Sequence, residues 1–378
     1  MLYLDVNASN PVDPRVAEAM MRCFASGAGN AGSPHRFGAQ AKQQVHRARD
    51  QIAAGVGARR HEVVFTSGAT ESNNLVILGA APHGQATGRR HLVSTQIEHK
   101  AVLEPLAVLG ERGFDVTLVA PQSDGRVSAA DVLDAVRDDT LLVSVMHVNN
   151  ETGVRQPIRE IAEGLSDRDV LFHVDAAQGF GKDNASLAQS RIDLISLSGH
   201  KVFGPQGVGA LIVRRRDGRP PPLTPLMHGG GQEQGLRPGT LPTPLIVGFG
   251  LAAELAQQEC EARAAYCRRL RTALLDRLAP LGIVLHGDLQ HALPHVVNIS
   301  FPHWHADQVI EALDGVAAVS DGAACTSVCA TASHVLSAMG VDASSLEGAV
   351  RISWSRLTPE NEFLAAADAM KSLLTRPT

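Results

Sequence analysis

Seven short apolar runs in the first two-thirds of the chain restrict its fold more than any other feature. They cover residues 62–66, 91–95, 115–119, 141–147, 170–175, 192–198 and 207–213. Most are separated by stretches with helical apolar spacing, at 39–56, 70–78, 101–112, 129–136 and 158–164. A run of five to seven apolar residues is too short for a packed helix and suits a strand buried on both faces. Strands alternating with helices predict the α/β class: a mainly parallel seven-stranded sheet with helices on both faces. In such sheets ligands bind beyond the carboxyl ends of the strands.

The pattern breaks at residues 214–225, where Arg214-Arg215-Arg216-Asp217-Gly218-Arg219 and three successive prolines predict a loop. A long helical pattern then runs over 244–278. Beyond it, runs at 282–286, 295–301, 316–320 and 350–354, with helices near 306–313, 331–339 and 359–374, predict a smaller C-terminal α+β domain. The expected division is a large domain over 13–255 and a small one built from 1–12 and 256–378. With 378 residues the chain is long enough for two cores. Its net charge of −5 gives no basic face for nucleic acid or a membrane surface. No apolar run could span a bilayer, and Met1-Leu2-Tyr3-Leu4-Asp5 lacks the pattern of a signal peptide. The cysteines, Cys23, Cys260, Cys267, Cys325 and Cys329, are too few and unevenly spaced for a disulfide framework, so a reducing cytoplasm is expected. Gly248-Phe249-Gly250 with Ala253 loosely matches a dinucleotide fingerprint, but it falls inside a helical pattern, where that motif has no function.

Two strand ends carry matched chemistry. The run 170–175 ends in Asp175, with Gln178 just beyond. The run 192–198 leads into Ser198-Gly199-His200-Lys201. An amine and a carboxylate delivered by neighbouring strands suit pyridoxal phosphate (PLP), which attaches through an amine and needs an acid against its ring nitrogen. The stretch Ser67-Gly68-Ala69-Thr70-Glu71 joins a strand to a helix. Its backbone N–H groups and the Thr70 hydroxyl form either a phosphate cradle or an ordinary helix cap. Ser198 and His200 could donate to the same phosphate, and Thr240, after Gly229-Gly230-Gly231, is a further candidate. His99 follows the strand 91–95, where a flat imidazole could stack on a ring and move protons. Asn150 ends another strand. Arg351 lies in an apolar run and needs a partner, either a substrate carboxylate or a structural acid. Cys325 sits among small residues, Gly322-Ala323-Ala324, where a thiol could act as a nucleophile. Cys325 and Cys329 alone, without further ligands at suitable spacing, make no metal site.

On these residues the chain resembles the cysteine desulfurases of the NifS/IscS type, within the class V, fold-type I PLP enzymes. The resemblance runs from Tyr3 to about Leu374. It is carried by residues 65–74 (FTSGATESNN), 98–103 (EHKAVL), 147–153 (HVNNETG), 173–178 (HVDAAQ), 198–201 (SGHK), 228–240 (HGGGQEQGLRPGT) and 324–327 (ACTS). It implies that Lys201 carries PLP and acts as the base, that Asp175 meets the ring nitrogen and Gln178 the ring hydroxyl, and that His99 stacks on the ring. It implies phosphate contacts from Ala69, Thr70, Ser198 and His200, with Thr240 supplied by the partner subunit of a homodimer. Asn150 and Arg351 would hold the carboxylate of L-cysteine. Cys325 would take its sulfur, leaving L-alanine and an enzyme persulfide for an acceptor protein.

The implied acceptor routes are iron–sulfur cluster assembly, tRNA thiolation and DNA phosphorothioation, with no direct nucleic-acid or membrane binding by the chain itself. Selenocysteine lyase, another class V lyase and a catalytically silent scaffold are the alternatives. The chain departs from the family pattern at residues 5–10 (DVNASN), at 30–33 (NAGS), at Gln234 and at Asp321, an acid close to the expected nucleophile.

Overall fold

A computed structural model of the protein describes residues 1–26, 29–321 and 332–375. Its strands are β1 (Leu2–Tyr3), β2 (Val63–Thr66), β3 (His91–Thr95), β4 (Asp115–Val119), β5 (Thr140–Met146), β6 (Leu171–Asp175), β7 (Leu194–Ser198), β8 (Gly209–Val213), β9 (Val284–His286), β10 (Val296–Ser300), β11 (Ala317–Ala318) and β12 (Ala349–Ser353). The central sheet has seven strands in the order β2-β8-β7-β6-β5-β3-β4. All its pairings are parallel except those of β8, which runs antiparallel between β2 and β7. The expected mainly parallel sheet is therefore present.

Successive residues of a strand point to opposite faces, and here both faces are packed. Val63, Phe65, Val143, Val145, Phe172 and Val174 enter one apolar cluster, while Val64, Leu92, Leu142, Leu194 and Leu211 enter another. The helices that cover them are α1 (Pro14–Ala25), α2 (Arg36–Val56), α3 (Ala69–Thr87), α4 (Lys100–Glu111), α5 (Ala129–Asp134), α6 (Ile158–Gly164) and α7 (Thr243–Gln258). The first cluster takes in Ile52 of α2 and Phe249 of α7, and the second Leu75 of α3 and Leu106 of α4.

A third apolar cluster gathers α8 (Cys260–Leu278), α9 (Ala306–Ala312) and α12 (Glu360–Leu374) against the antiparallel sheet β12-β10-β9. Trp354 and Phe363 are fully buried there. Two short helices, α10 (His334–Ala338) and α11 (Ala343–Glu347), complete the described chain.

The single long helix expected over 244–278 is two helices. Glu259 leaves helical geometry (φ −106°, ψ 5°), and its carboxylate is held by Arg15 (2.6 Å) and Arg263 (2.9 Å). Those ion pairs fix the bend and tie it to α1. The strand expected at 316–320 is reduced to Ala317–Ala318, paired in parallel with β1. Helix α1 was not foreseen from periodicity, although Asp13 caps it and Pro14 opens it, both starting signals.

Candidate active site

The parallel strands β6 and β7 end side by side, with Asp175 in register with Ser196. Asp175 closes β6, and Lys201 follows β7 by one short turn, Gly199–Lys201. The acid and the amine therefore reach the same edge of the sheet. They line a cleft of about 480 Å³ together with Ala69, Thr70, His99, Asn150, Gln178, Ser198, His200 and Arg351. Thr240 does not line this cleft. It is exposed beside Lys42, Arg49 and Gln232, on a different part of the surface. Cys325 lies outside the described residues.

Asp175 is nearly buried and accepts from Asn73 Nδ2 (2.7 Å) and from the Ala177 N–H (2.9 Å), so its carboxylate is held still. Lys201 Nζ donates to the carbonyls of Asn7 and Ala8, the latter at 2.7 Å. Gln178 Nε2 also donates to the Asn7 carbonyl, at 2.9 Å.

Helix α3 starts at the cleft. Gly68 precedes it without a side-chain cap, and Thr70 sits in its first turn. The inner side of that turn is fixed by the hydroxyls of Thr66 and Ser72, which lie 2.9 Å from each other and 3.1 and 3.2 Å from the Gly68 carbonyl oxygen, so that one donates to the carbonyl and the other to its partner or to the same oxygen. Close approach of β8 demands glycine: a Cβ on Gly209 would lie 2.5 Å from the Leu197 carbonyl oxygen and 2.6 Å from Gly68 Cα. His200 Nδ1 lies 3.2 Å from Ser9 Oγ. Burial first, then the nearby Lys201 and Lys182, push the His200 ring down to about 4, so it is neutral at pH 7.

His99 caps α4, its Nδ1 accepting from the Ala101 N–H (3.0 Å), which leaves Nε2 to carry the hydrogen of the neutral ring. Two buried links hold this turn against β5. Glu98 accepts from Thr95 Oγ1 and the Met146 N–H, both at 2.8 Å, and Asn149 Nδ2 donates to the Ile97 carbonyl (3.0 Å). Asn149 Oδ1 in turn accepts from the N–H groups of Glu151 (2.9 Å) and Thr152 (3.0 Å), shaping the loop that presents Asn150.

Arg351 comes from β12 in the other sheet. It is 4 % exposed, pairs with Asp5 (2.7 Å) and donates to the Asn150 carbonyl (3.0 Å). The two uses of Arg351 open in the sequence are thus not exclusive, since it has a protein acid and still lines the cleft. His147, His173 and His286 have structural partners. His173, for example, lies buried between Ser144 (2.8 Å) and Ser196 (2.9 Å).

Sequence reasoning noted the stretch 5–10 only as a departure from the family pattern and gave its residues no role in the site. Asn7, Ala8 and Ser9 line the cleft, and Asn73 holds Asp175. Asn73 lies one helical turn after Thr70, a spacing that could have placed it.

The donor set fits PLP. An uncapped helix start with Thr70, Ser198 and neutral His200 beside it suits a phosphate, and a fixed carboxylate and a primary amine stand beyond. Among the described residues, two cleft-lining side chains keep buried polar atoms without a protein partner, Asn73 Oδ1 and Arg351 Nε.

The class-V aminotransferase family model matches residues 2–364. Over 367 residues, 96 % of this chain and 90 % of the relative, the protein is 46 % identical to cysteine desulfurase IscS of Enterobacter sp. (strain 638). Among solved structures, a NifS-like protein superposes with a TM-score of 0.91 at 36 % identity, covering 99 % of both chains. DndA from Streptomyces lividans does so with 0.82 at 46 % identity, over 93 % of this chain and 99 % of that one. The chain belongs to the class-V aminotransferase family, in its cysteine desulfurase branch.

Proposed function

We propose that the protein is a PLP-dependent cysteine desulfurase that turns L-cysteine into L-alanine and passes the sulfur to an acceptor protein. The observation that carries this reading is the cleft itself: Lys201 and Asp175 on adjacent strand ends, facing an uncapped helix start, with Arg351 entering from the second sheet.

Lys201 would hold PLP, Asp175 would keep its ring nitrogen protonated, and Gln178 would meet its hydroxyl. The start of α3, with Ala69, Thr70, Ser198 and His200, would bind the phosphate. When bound, PLP draws electron density from the substrate's α carbon and so weakens the bond to sulfur. Arg351 and Asn150 would clamp the substrate carboxylate, a bidentate match for a guanidinium. Lys201 then takes the proton from the α carbon, and His99, through Nε2, would move a proton at the face of the ring. The Cys325 thiolate attacks the substrate sulfur. One S–S bond forms and one C–S bond breaks, so L-cysteine and a thiol become L-alanine and a persulfide.

Thr240 supports a homodimer. If it binds the phosphate, it does so in a second copy, because in its own chain it faces another part of the surface. The separate apolar cluster of α8, α9, α12 and β12-β10-β9 supports a division into 13–255 and 1–12 with 256–378. No helix among the described residues is long and apolar enough to cross a membrane.

The test is borohydride reduction of the purified protein, expected to be yellow, followed by peptide mapping. The label is expected on Lys201, and Lys201→Ala should lose both label and turnover. A label on another lysine overturns the assignment.

A further inference from the structure

We infer that Asn7 is a positioning residue that couples the cofactor half of the cleft to its carboxylate-binding half; this rests on the functional reading above. Asn7 is 2 % exposed, and each of its polar atoms is taken by a different part of the chain. Its N–H donates to Ser353 Oγ on β12 (3.0 Å). Its Nδ2 donates to the Asn150 carbonyl (3.2 Å), and His295 Nε2 lies 3.0 Å from its Oδ1. Its carbonyl accepts from both Gln178 Nε2 (2.9 Å) and Lys201 Nζ.

Two shared acceptors make the coupling. The Asn7 carbonyl serves both cofactor-side groups, so a tilt of that peptide plane moves the bonds of Lys201 and Gln178 together. The Asn150 carbonyl serves both Asn7 Nδ2 and Arg351 Nη1 (3.0 Å), so the same side chain reaches the carboxylate clamp. The side chain and the carbonyl of Asn7 are joined through one Cα, so fixing its N–H and its amide leaves little but the single angle ψ to set where the carbonyl points.

His295 sets which way the amide faces. It is buried, with Lys182 and Arg271 as its charged neighbours, and is held neutral well below the usual histidine range, first by burial. A neutral ring donating from Nε2 to Oδ1 leaves Nδ2 aimed at Asn150. A residue that merely anchored the N-terminal strand would need none of the contacts to Gln178, Lys201 and Asn150.

The test compares holoenzymes of the wild type, Asn7→Ala, His295→Leu and His295→Gln. Three quantities are read: the pH midpoint of the bound cofactor's visible band, KM against kcat for L-cysteine, and Tm. Asn7→Ala is expected to move the band's midpoint by about half a pH unit or more and to raise KM about fivefold, equivalent to about 1 kcal/mol. His295→Leu should shift both in the same direction, and His295→Gln, which keeps an N–H donor, should restore both. If Asn7→Ala does not fold, the two His295 variants decide. Midpoint and KM unchanged despite a lower Tm, or only one of the two moving, overturns the inference while leaving the cofactor assignment intact. A wild type with no visible band overturns the functional reading and this inference with it.

Discussion

Glu98 and Glu151 are acids buried beside the cleft, and burial dominates the behaviour of both. It raises Glu98 to about 8 and Glu151 to about 7, despite the hydrogen bonds from Met146 and Thr95 to the first and from Ser333 to the second. Burial also lowers His173 to about 4, as it does His200. For an acid whose folded pKa is raised, the unfolded chain ionises first, so stability is full below about 4.5 and is lost as pH rises toward 8. For a histidine whose folded pKa is depressed, stability is present above about 6.5 and is lost as pH falls toward 4. Between pH 4.5 and 6.5 these two acids and two histidines oppose one another, so the loss due to the acids emerges only above about pH 6.5, where Lys182, lowered by burial to about 7, works against it. Glu98→Gln should flatten the alkaline limb by about 2 kcal/mol between pH 6.5 and 8, at about 1.4 kcal/mol per pH unit, as denaturant melts at stepped pH would read. An alkaline limb as steep as in the wild type would assign the loss to other groups. Arg351→Ala removes a charge-assisted contact worth about 1.5–3 kcal/mol, so KM for cysteine should rise at least tenfold while the resting spectrum is kept. A collapsed Tm with an unchanged KM would make Arg351 only the partner of Asp5. Cys325→Ser should still bind cysteine yet yield almost no alanine, whereas Cys329→Ser should keep most activity. Mass spectrometry after brief cysteine treatment should place the added sulfur on Cys325, and its first appearance on Cys329 would reverse the two roles.

Among the elements, strands were the most legible in the sequence. The runs at 91–95 and 115–119 coincide with β3 and β4. What could not be read was pairing. Nothing in the apolar run that becomes β8 distinguishes an antiparallel strand inside a parallel sheet, since both its faces are buried either way. The same limit hid the N-terminal segment. The motif around Asn7 has no strand period and gains its meaning only from residues hundreds of positions away. Lys201, Asp175 and His99, by contrast, sit at or just past strand ends, where the parallel-sheet rule looks for them. The place of β8 carries its own prediction. Gly209→Val would drive a side chain into the Leu197 carbonyl and the Gly68 turn, costing about 1–3 kcal/mol as overpacking. Because that turn begins α3, cofactor retention on dialysis should fall as well. Full retention would separate β8 from the phosphate cradle.

Across the whole molecule, the cleft is assembled from pieces far apart along the chain. The central sheet supplies Asp175 and Lys201, while the second sheet supplies Arg351. The N-terminal segment joins them: β1 pairs with Ala317–Ala318, Asp5 bridges to Ser353, and Asn10 Nδ2 donates to the Lys201 carbonyl (3.0 Å). Order of synthesis gives this strap a consequence in time. Residues 2–10 leave the ribosome early, and a large domain can begin to fold behind them. Their partners at 317–318 and 351–353 are among the last to be made. A nascent chain that stops short of Ser353 has no β12 to receive Asp5 and Asn7, and no Arg351 at the Asn150 carbonyl. The meeting of Arg351 with the Asn150 carbonyl, the proposed carboxylate clamp, is thus a late event in the protein's life, and the strap closes the cleft only on a chain translated past that point.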